Sequence, residues 1–289
     1  TGGTFTDAVL LDDAAHRILA RAKSLTTRPD LSGGIAGAVD AVLAAAPDVA
    51  PADIALVGLS TTLATNALVE GQGGRAALVA IGLGAPELAR AGLAEALGTD
   101  PLIALSGGHD HAGSEAALPA GISAVAVAAS FATRNPAHEI AARAAIRAAT
   151  GLPVTCSHEL SAGLGAPKRA LTALLNARLI GLIDRLVAAC EGHLAARGIR
   201  APLMVVRGDG ALVSAALVRE RPVETILSGP AASVAGARWL TGLDRAIVSD
   251  IGGTTTDVCL LDGGRPRLDP EGARVGGWRT MVQAVAMRT

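Results

Sequence analysis

The chain has 289 residues, enough for two modest domains and a sizeable core. Half of them are hydrophobic, yet two Phe, two Trp and no Tyr make the core aliphatic and argue against an aromatic stacking platform for bases. A formal charge of −1 supplies no general field for nucleic acid or an acidic membrane surface, so neither is an expected partner. Apolar runs are broken by Gly, Arg and Asp well short of the roughly 18 residues that span a bilayer. The opening residues do not read as a charged-then-apolar leader. Cys156, Cys190 and Cys259 are odd in number and far apart, without disulfide or zinc spacing. A reducing, cytoplasmic compartment is the expectation.

Thr4–Leu11 and Arg17–Ser24 read as hairpin strands around Asp12-Asp13-Ala14. Leu31–Ala46 reads as a helix with Ile35, Val39, Val42 and Leu43 on one face, ended by Pro47. Ile54–Leu59 has the length and apolar content of a short buried strand. Ala76–Ile81 and Ile122–Ala128 are further strands, separated by a helix near Pro86–Leu97 and a polar loop. Asn135-Pro-Ala opens a helix through Ala149, closed by Thr150-Gly151. The longest helix runs from Lys168 to Arg197, with apolar Leu171, Leu174, Leu175, Leu179, Leu182, Ile183 and Leu186 at helical spacing. Pro167 suits its first turn and Gly198 its end. Leu203–Val206 is a strand, Ser228–Leu240 a helix, and Ala246–Ser249 a strand. Strands alternating with helices predict α/β layers.

One segment occurs twice. Thr1-Gly-Gly-Thr-Phe-Thr-Asp-Ala-Val-Leu-Leu-Asp-Asp13 returns as Ile251-Gly-Gly-Thr-Thr-Thr-Asp-Val-Cys-Leu-Leu-Asp-Gly263, with eight of thirteen positions identical. So long a period suggests one domain plan used twice rather than a solenoid. Two glycines, hydroxyl residues and a carboxylate leading into an apolar strand suit a turn that holds phosphate. Glycines let backbone N–H groups approach phosphate oxygens, and Thr hydroxyls add donors. Asp250 ends an apolar strand just before the second loop, where it could hold Mg²⁺ through water. The first copy has no preceding acid, so the chain is expected to be a fragment cut inside its first motif. Either copy alone could be a plain Gly-rich turn; paired copies with matching flanks argue against that.

These motifs resemble the hydantoinase A/5-oxoprolinase family of the actin–Hsp70–sugar-kinase ATPase superfamily. Asp250–Val258 resembles the second phosphate loop, and Thr1–Asp7 the first without its leading Asp. Ile226–Gly236, Leu59–Leu68, Gly107–Asp110, Arg134-Asn-Pro-Ala-His-Glu139 and Ser157-His-Glu-Leu-Ser161 also match family segments in order. The resemblance implies an α/β, ribonuclease-H-like actin-type ATPase fold. Residues 1–240 would form the first such domain, with a hydantoinase A N-terminal region at about 1–135 and an inserted subdomain at about 76–165. Residues 241–289 would begin a second, truncated domain, the Gly-rich adenosine-binding segment being expected beyond the region around Trp278.

The activity this implies is ATP-dependent opening of a cyclic amide, of hydantoin or 5-oxoproline type, by phosphorylating the amide oxygen. A second hydantoinase B-type subunit is implied as partner. Gly2, Gly3, Thr4, Thr6, Gly252, Gly253, Thr254 and Thr255 would cradle the phosphates of ATP, and Asp250 would orient Mg²⁺ or the attacking group. Asp7 and Asp257 would brace their own loops. His158 or Glu159 would lie near substrate or the terminal phosphate; the plainer reading of Ser157-His158-Glu159 is a short turn with Ser157 capping. Thr62 and Asn66 line the cleft or form a satisfied turn. His109, Asp110 and His111, with His138 or His158, could ligate a metal, but a polar loop is favoured. Arg207–Gly210 reads as a hairpin turn, with Asp209 a weaker nucleotide-side candidate. Ketone carboxylases use similar subunits, and a sugar-kinase-like phosphotransferase or a non-enzymatic ATP-dependent clamp stays open.

Overall fold

The computed structural model describes residues 2, 4–27, 31–106, 118–251 and 256–289. Strands β1 (Phe5–Asp12) and β2 (Arg17–Leu25) form the expected antiparallel hairpin. Alternation turns Ala8, Leu10, Ala20 and Ala22 to one face, which packs on Val42 of helix α1 (Ser32–Ala44) and on Ala46 just past it. The strand expected at Ile54–Leu59 is shorter and less buried. Pro51–Asp53 takes a tight 3₁₀ turn, Leu56 is half exposed, and only β3 (Val57–Leu59) pairs. Proline's fixed φ favours that turn and leaves few residues to extend. Helix α2 (Leu63–Val69) follows.

The middle of the chain builds a parallel sheet. In order come β4 (Ala76–Ile81), α3 (Ala85–Leu88), α4 (Leu93–Leu97), β5 (Leu102–Leu105), β6 (Ala124–Ala129), α5 (Ala137–Thr150) and β7 (Val154–Cys156). The strands lie in the order β5-β4-β6-β7, all parallel. β4 and β6 are buried at every position, which explains their unbroken small and apolar sequences. Ala76, Leu78 and Ala80 with Ala124, Ala126 and Ala128 face the main core, which Leu93 and Leu97 of α4 also join. Val79, Ile81, Val125 and Val127 face the other way, against Ala142 and Ile146 of α5. The β4–β5 and β6–β7 connections therefore cover opposite faces, and the strand order reverses between β4 and β6. β5 was not predicted; four residues leading into a polar loop give little pattern.

A short helix, α6 (Ser157–Leu160), precedes the 31-residue α7 (Ala166–Ala196), which has Pro167 in its first turn. Every residue from 169 to 177 in α7 is buried. That half is wrapped on all sides, by the parallel sheet and by α2 and α4, so its small residues are buried as well as its leucines. β8 (Leu203–Val206) pairs parallel with β3 and antiparallel with β9 (Leu212–Ser214). The predicted turn at Arg207–Gly210 joins them, with Gly210 at φ +88°. Helix α8 (Ala215–Glu220) is capped by Ser214, whose Oγ accepts from the Leu217 N–H at 3.2 Å.

Helix α9 (Ser228–Thr241) packs Ala231 and Val234 on Cys259, Leu261 and Val285 of a second, smaller core. Its sheet holds β10 (Ala246–Ile251), β11 (Thr256–Asp262) and β12 (Arg265–Pro266). β13 (Arg274–Val275) and β14 (Trp278–Arg279) form a separate hairpin, and β15 (Met287–Arg288) pairs with β11. The three cysteines are free and buried. Among the described residues no helix is long and apolar enough to cross a membrane.

Candidate active site

In their described residues the two copies of the repeat share one feature. β1 and β11 each leave the glycine-rich loop and turn back into an antiparallel partner, β2 and β12. In the first copy the Gly2 N–H donates to the Phe5 carbonyl at 3.0 Å. Thr26 ties this turn down: its Oγ1 donates to the Gly2 carbonyl at 3.0 Å and its N–H to the Thr4 carbonyl at 2.9 Å. Thr6 is buried, its hydroxyl 3.2 Å from Thr26 Oγ1, while Thr4 is exposed. Gly2 shares a cavity of about 360 Å³ with Thr62, Asn66 and Gln72. Asn66 Nδ2 donates to Thr62 Oγ1 at 3.2 Å. The same segment receives the start of α9: the Leu227 N–H donates to Thr65 Oγ1 at 3.0 Å and Ser228 Oγ to the Thr61 carbonyl at 2.9 Å. Gly3, Gly252, Gly253, Thr254 and Thr255 lie outside the described residues, as do His109, Asp110 and His111.

In the second copy Asp250 lies directly across the ladder from Asp257, so both carboxylates share a sheet face with Val248 and Cys259. Ser233 of α9 donates to Asp250 Oδ2 at 2.6 Å, and Thr289 to Asp257 Oδ1 at 2.8 Å. Burial, then the charges of Asp257 and Asp250, push the Cys259 thiol pKa up. Asp7, the counterpart of Asp257, pairs instead with Lys23 across β1 and β2 at 3.2 Å.

A second polar constellation sits at the carboxyl edge of the parallel sheet, and its centre is a residue the sequence did not single out. Glu139, in the first turn of α5, is completely buried. Its Oε1 accepts from the Ala129 N–H at 2.7 Å and Ser157 Oγ at 2.6 Å. Its Oε2 accepts from the His158 N–H at 3.0 Å and lies 2.6 Å from His158 Nδ1. Ser157 thus donates to Glu139 instead of capping a turn. Arg169 of α7, also buried, donates to the Ala129 and Gly163 carbonyls, each at 3.1 Å. Burial lowers the Arg169 pKa, and the charge of Glu139 opposes that shift.

His158 and Glu159 are neighbours with different settings. Glu159 turns from the Glu139 network to Arg143, at 2.5 Å, and lines a cavity of about 170 Å³ with Arg147, Arg219 and Arg221. Among the described residues no hydrogen bond or ion pair joins His158 or Glu159 to Asp250. His138 stands apart, bordering a crevice with Phe131 and Asn135. Ligand atoms of Glu139, Cys156 and His158 do lie within 4.8 Å of one another. Yet both Glu139 oxygens are taken by protein donors, and burial pushes the Cys156 thiol up to about 12. A buried thiol that resists ionisation is a poor metal ligand. Asp209, the weaker nucleotide-side candidate, is occupied by a charge-assisted pair with Arg207.

Models of one family match both halves of the chain: the hydantoinase/oxoprolinase N-terminal region over residues 1–95 and the hydantoinase/oxoprolinase domain over residues 169–289. The chain belongs to the hydantoinase/oxoprolinase family. It is 31% identical to caprolactamase subunit alpha of Pseudomonas jessenii, over 91% of this chain and 43% of that protein. It is 28% identical to the acetophenone carboxylase gamma subunit of Aromatoleum aromaticum, over 90% and 41%. Among solved structures, nucleotide-free acetone carboxylase superposes with TM-score 0.77 at 20% identity, over 99% of this chain and 46% of that one. ATP-dependent caprolactamase of Pseudomonas jessenii superposes with TM-score 0.75 at 25% identity, over 99% and 47%. The fold is therefore the α/β actin-type ATPase fold. The chain spans less than half the length of these relatives.

Mg²⁺, the ion expected from the sequence beside Asp250, takes oxygen ligands and keeps several waters. Asp250 and Asp257 fit it. Each has one oxygen engaged by a hydroxyl and one without a protein partner among the described residues. Their placement opposite one another is unfavourable without a cation between or beside them.

Proposed function

We propose that this chain is the ATP-using part of an enzyme that opens a cyclic amide of hydantoin or 5-oxoproline type. The observation that carries the reading is the repeated Gly-Gly-Thr-x-Thr-Asp loop, present on two hairpins of an actin-type fold, with Asp250 and Asp257 opposed beside the second. An amide carbonyl is a poor electrophile because nitrogen donates into it. Moving the γ-phosphoryl group from ATP to the amide oxygen ends nitrogen's donation into the carbonyl and makes the carbon electrophilic. Water then adds to that carbon, the C–N bond breaks as the protonated nitrogen leaves as an amine, and a second water hydrolyses the resulting acyl phosphate to carboxylate and phosphate. The protein's part is positioning and charge neutralisation. Gly3, Thr4 and Gly252–Thr255 hold phosphate oxygens on this reading, while Gly2 and Thr6, expected to do the same, have their donors engaged within the turn and shape the first loop. Asp250 is the anchor for Mg²⁺, which neutralises charge on the transferring group when bound. His158, aligned by Glu139, and Glu159 serve the substrate side. The first ribonuclease-H-like domain runs to about residue 240, with an inserted subdomain near 76–165, and the second begins there.

Relatives named as alpha and gamma subunits support a partner subunit, which we take to be of hydantoinase B type, in the cytoplasm. The relative named acetophenone carboxylase and the likeness to acetone carboxylase keep a second reading, in which the phosphorylated oxygen is that of a ketone enol. The test is phosphate release from MgATP by the full-length protein with its partner subunit, against hydantoins, 5-oxoproline and small ketones with bicarbonate. Release dependent on a cyclic amide, with ring-opened product, is expected. Release dependent on a ketone and bicarbonate would replace this reading with the second. Release stimulated only by peptides would overturn both.

A further inference from the structure

We propose that the crevice between the carboxyl ends of β4 and β6 binds a small planar molecule that presents carbonyl or carboxylate oxygens. Among the described residues none from either hairpin loop lines it, and the inference stands independently of the ATP reading. In open parallel sheets the place where strand order reverses leaves a gap between diverging connections, and ligands bind there. Here the reversal falls between β4 and β6. A cavity of about 380 Å³ occupies that position, bordered by Ile81 and Gly82 after β4 and by Ser130, Phe131, Asn135 and His138 after β6. The volume suits a small ligand.

Phe131 carries the argument. Its φ is +57°, a left-handed conformation that bulky side chains avoid, and the residue is 70% exposed. The strained backbone and the exposed aromatic both cost stability, and packing returns little for either. The chain has only two phenylalanines, so the ring is not one apolar residue among many interchangeable ones. An outlier of this kind at the mouth of a cavity points to a ligand that covers it.

The polar groups define what that ligand is. Ser130 Oγ is spent on the Gly82 carbonyl at 2.6 Å. Asn135 Oδ1 is spent on the Ala137 N–H at 3.1 Å, which leaves its Nδ2 hydrogens to donate. The His138 imidazole has no protein partner among the described residues. Among the described residues no carboxylate borders the cavity. Donors, a ring face and an apolar wall at Ile81 suit a flat acceptor and disfavour a cation. The floor is rigid, because Ala129, beside Ser130, is held by Glu139 at its N–H and by Arg169 at its carbonyl.

Ligand-observed NMR and calorimetric titration of the full-length protein without nucleotide, using hydantoin, 5-oxoproline and acetate as probes, test the proposal. The wild type should bind at least one probe. Hydantoin binding would identify a neutral cyclic carbonyl ligand; binding of acetate and 5-oxoproline alone would identify a carboxylate. Phe131→Gly should weaken that binding at least tenfold. Its thermal midpoint should stay level or rise, because glycine accepts a positive φ. His138→Ala should weaken binding about fivefold, and MgATP affinity should stay within twofold in both variants. Absence of binding by the wild type, or equal binding by Phe131→Gly, would overturn the site. A lower thermal midpoint for Phe131→Gly would show that the ring serves packing. A parallel loss of MgATP affinity would show that the crevice is not separate from the nucleotide site.

Discussion

Glu139→Gln is close to isosteric, yet it should be among the most damaging single-atom changes available in this chain. The carboxylate meets donors at both oxygens: the Ala129 N–H and Ser157 Oγ at one, the His158 N–H and Nδ1 at the other. A glutamine must direct its NH₂ group at one of these pairs. Ser157 can rotate to accept, and His158 can switch tautomer, but a backbone N–H cannot. Either orientation therefore leaves one backbone donor facing another donor, at a cost of about 1–3 kcal/mol. The remaining contacts fall from charge-assisted to neutral strength, which adds about 1–2 kcal/mol. Buried Arg169 also loses the negative charge that opposes its desolvation. The total is about 2–5 kcal/mol, a large share of the roughly 5–15 kcal/mol typical of a folded domain. Urea denaturation followed by circular dichroism should show the midpoint falling by about 0.7–2.5 M, using a slope of about 2–3 kcal/mol/M. A variant within about 1 kcal/mol of wild type would refute the claim that Glu139 organises this edge of the sheet.

Asp250→Asn should abolish ATP turnover by the full-length protein while changing stability by no more than about 0.5 kcal/mol, because the residue is exposed and its protein partner is Ser233. Near-normal turnover would remove Asp250 from the site. Cys156, whose thiol burial pushes up to about 12, should resist a disulfide reagent at pH 8 until the chain opens; fast native labelling would contradict its placement. Burial raises the Asp209 pKa, but hydrogen bonds from Arg207 and the Ala211 N–H outweigh it and leave the folded value below 3.8. A depressed folded pKa means the stabilisation is complete above about pH 4 and is lost as pH falls through the lower folded value. Asp209→Asn should therefore be less stable than wild type at pH 6, with the gap closing toward pH 2. An equal gap at both pH values would show that charge is not what holds the turn.

The sequence exposed those parts of the molecule whose causes are local. Helix α7 announces itself through leucines at helical spacing, Pro167 in its first turn and Gly198 after its end, and α5 through Asn135-Pro and a left-handed Gly151. The repeat was legible because a recurring pattern multiplies a weak signal, and it drew attention to Asp250; the placement of Asp257 across the ladder from Asp250 came from the structure. β9 was implied by the hairpin turn at Arg207–Gly210, but β5 was missed, because four residues exist as a strand only when a neighbour offers its edge. Glu139 was missed for a related reason. An acid in the first turn of an Ala-rich helix reads as a solvated charge favoured by the helix dipole. What buries it is supplied from elsewhere: Ala129 at the end of β6, Ser157 and His158 after β7, and Arg169 on α7. Those groups converge only once three strands and two helices have assembled. Forming the network is therefore inseparable from closing the parallel sheet, and a mutation there tests the fold and the site together. The exposed hairpin carrying Asp250 differs, since its geometry comes from one ladder and one contact with α9. A change at Asp250 should consequently report on chemistry alone, which makes it the cleaner probe of the proposed activity.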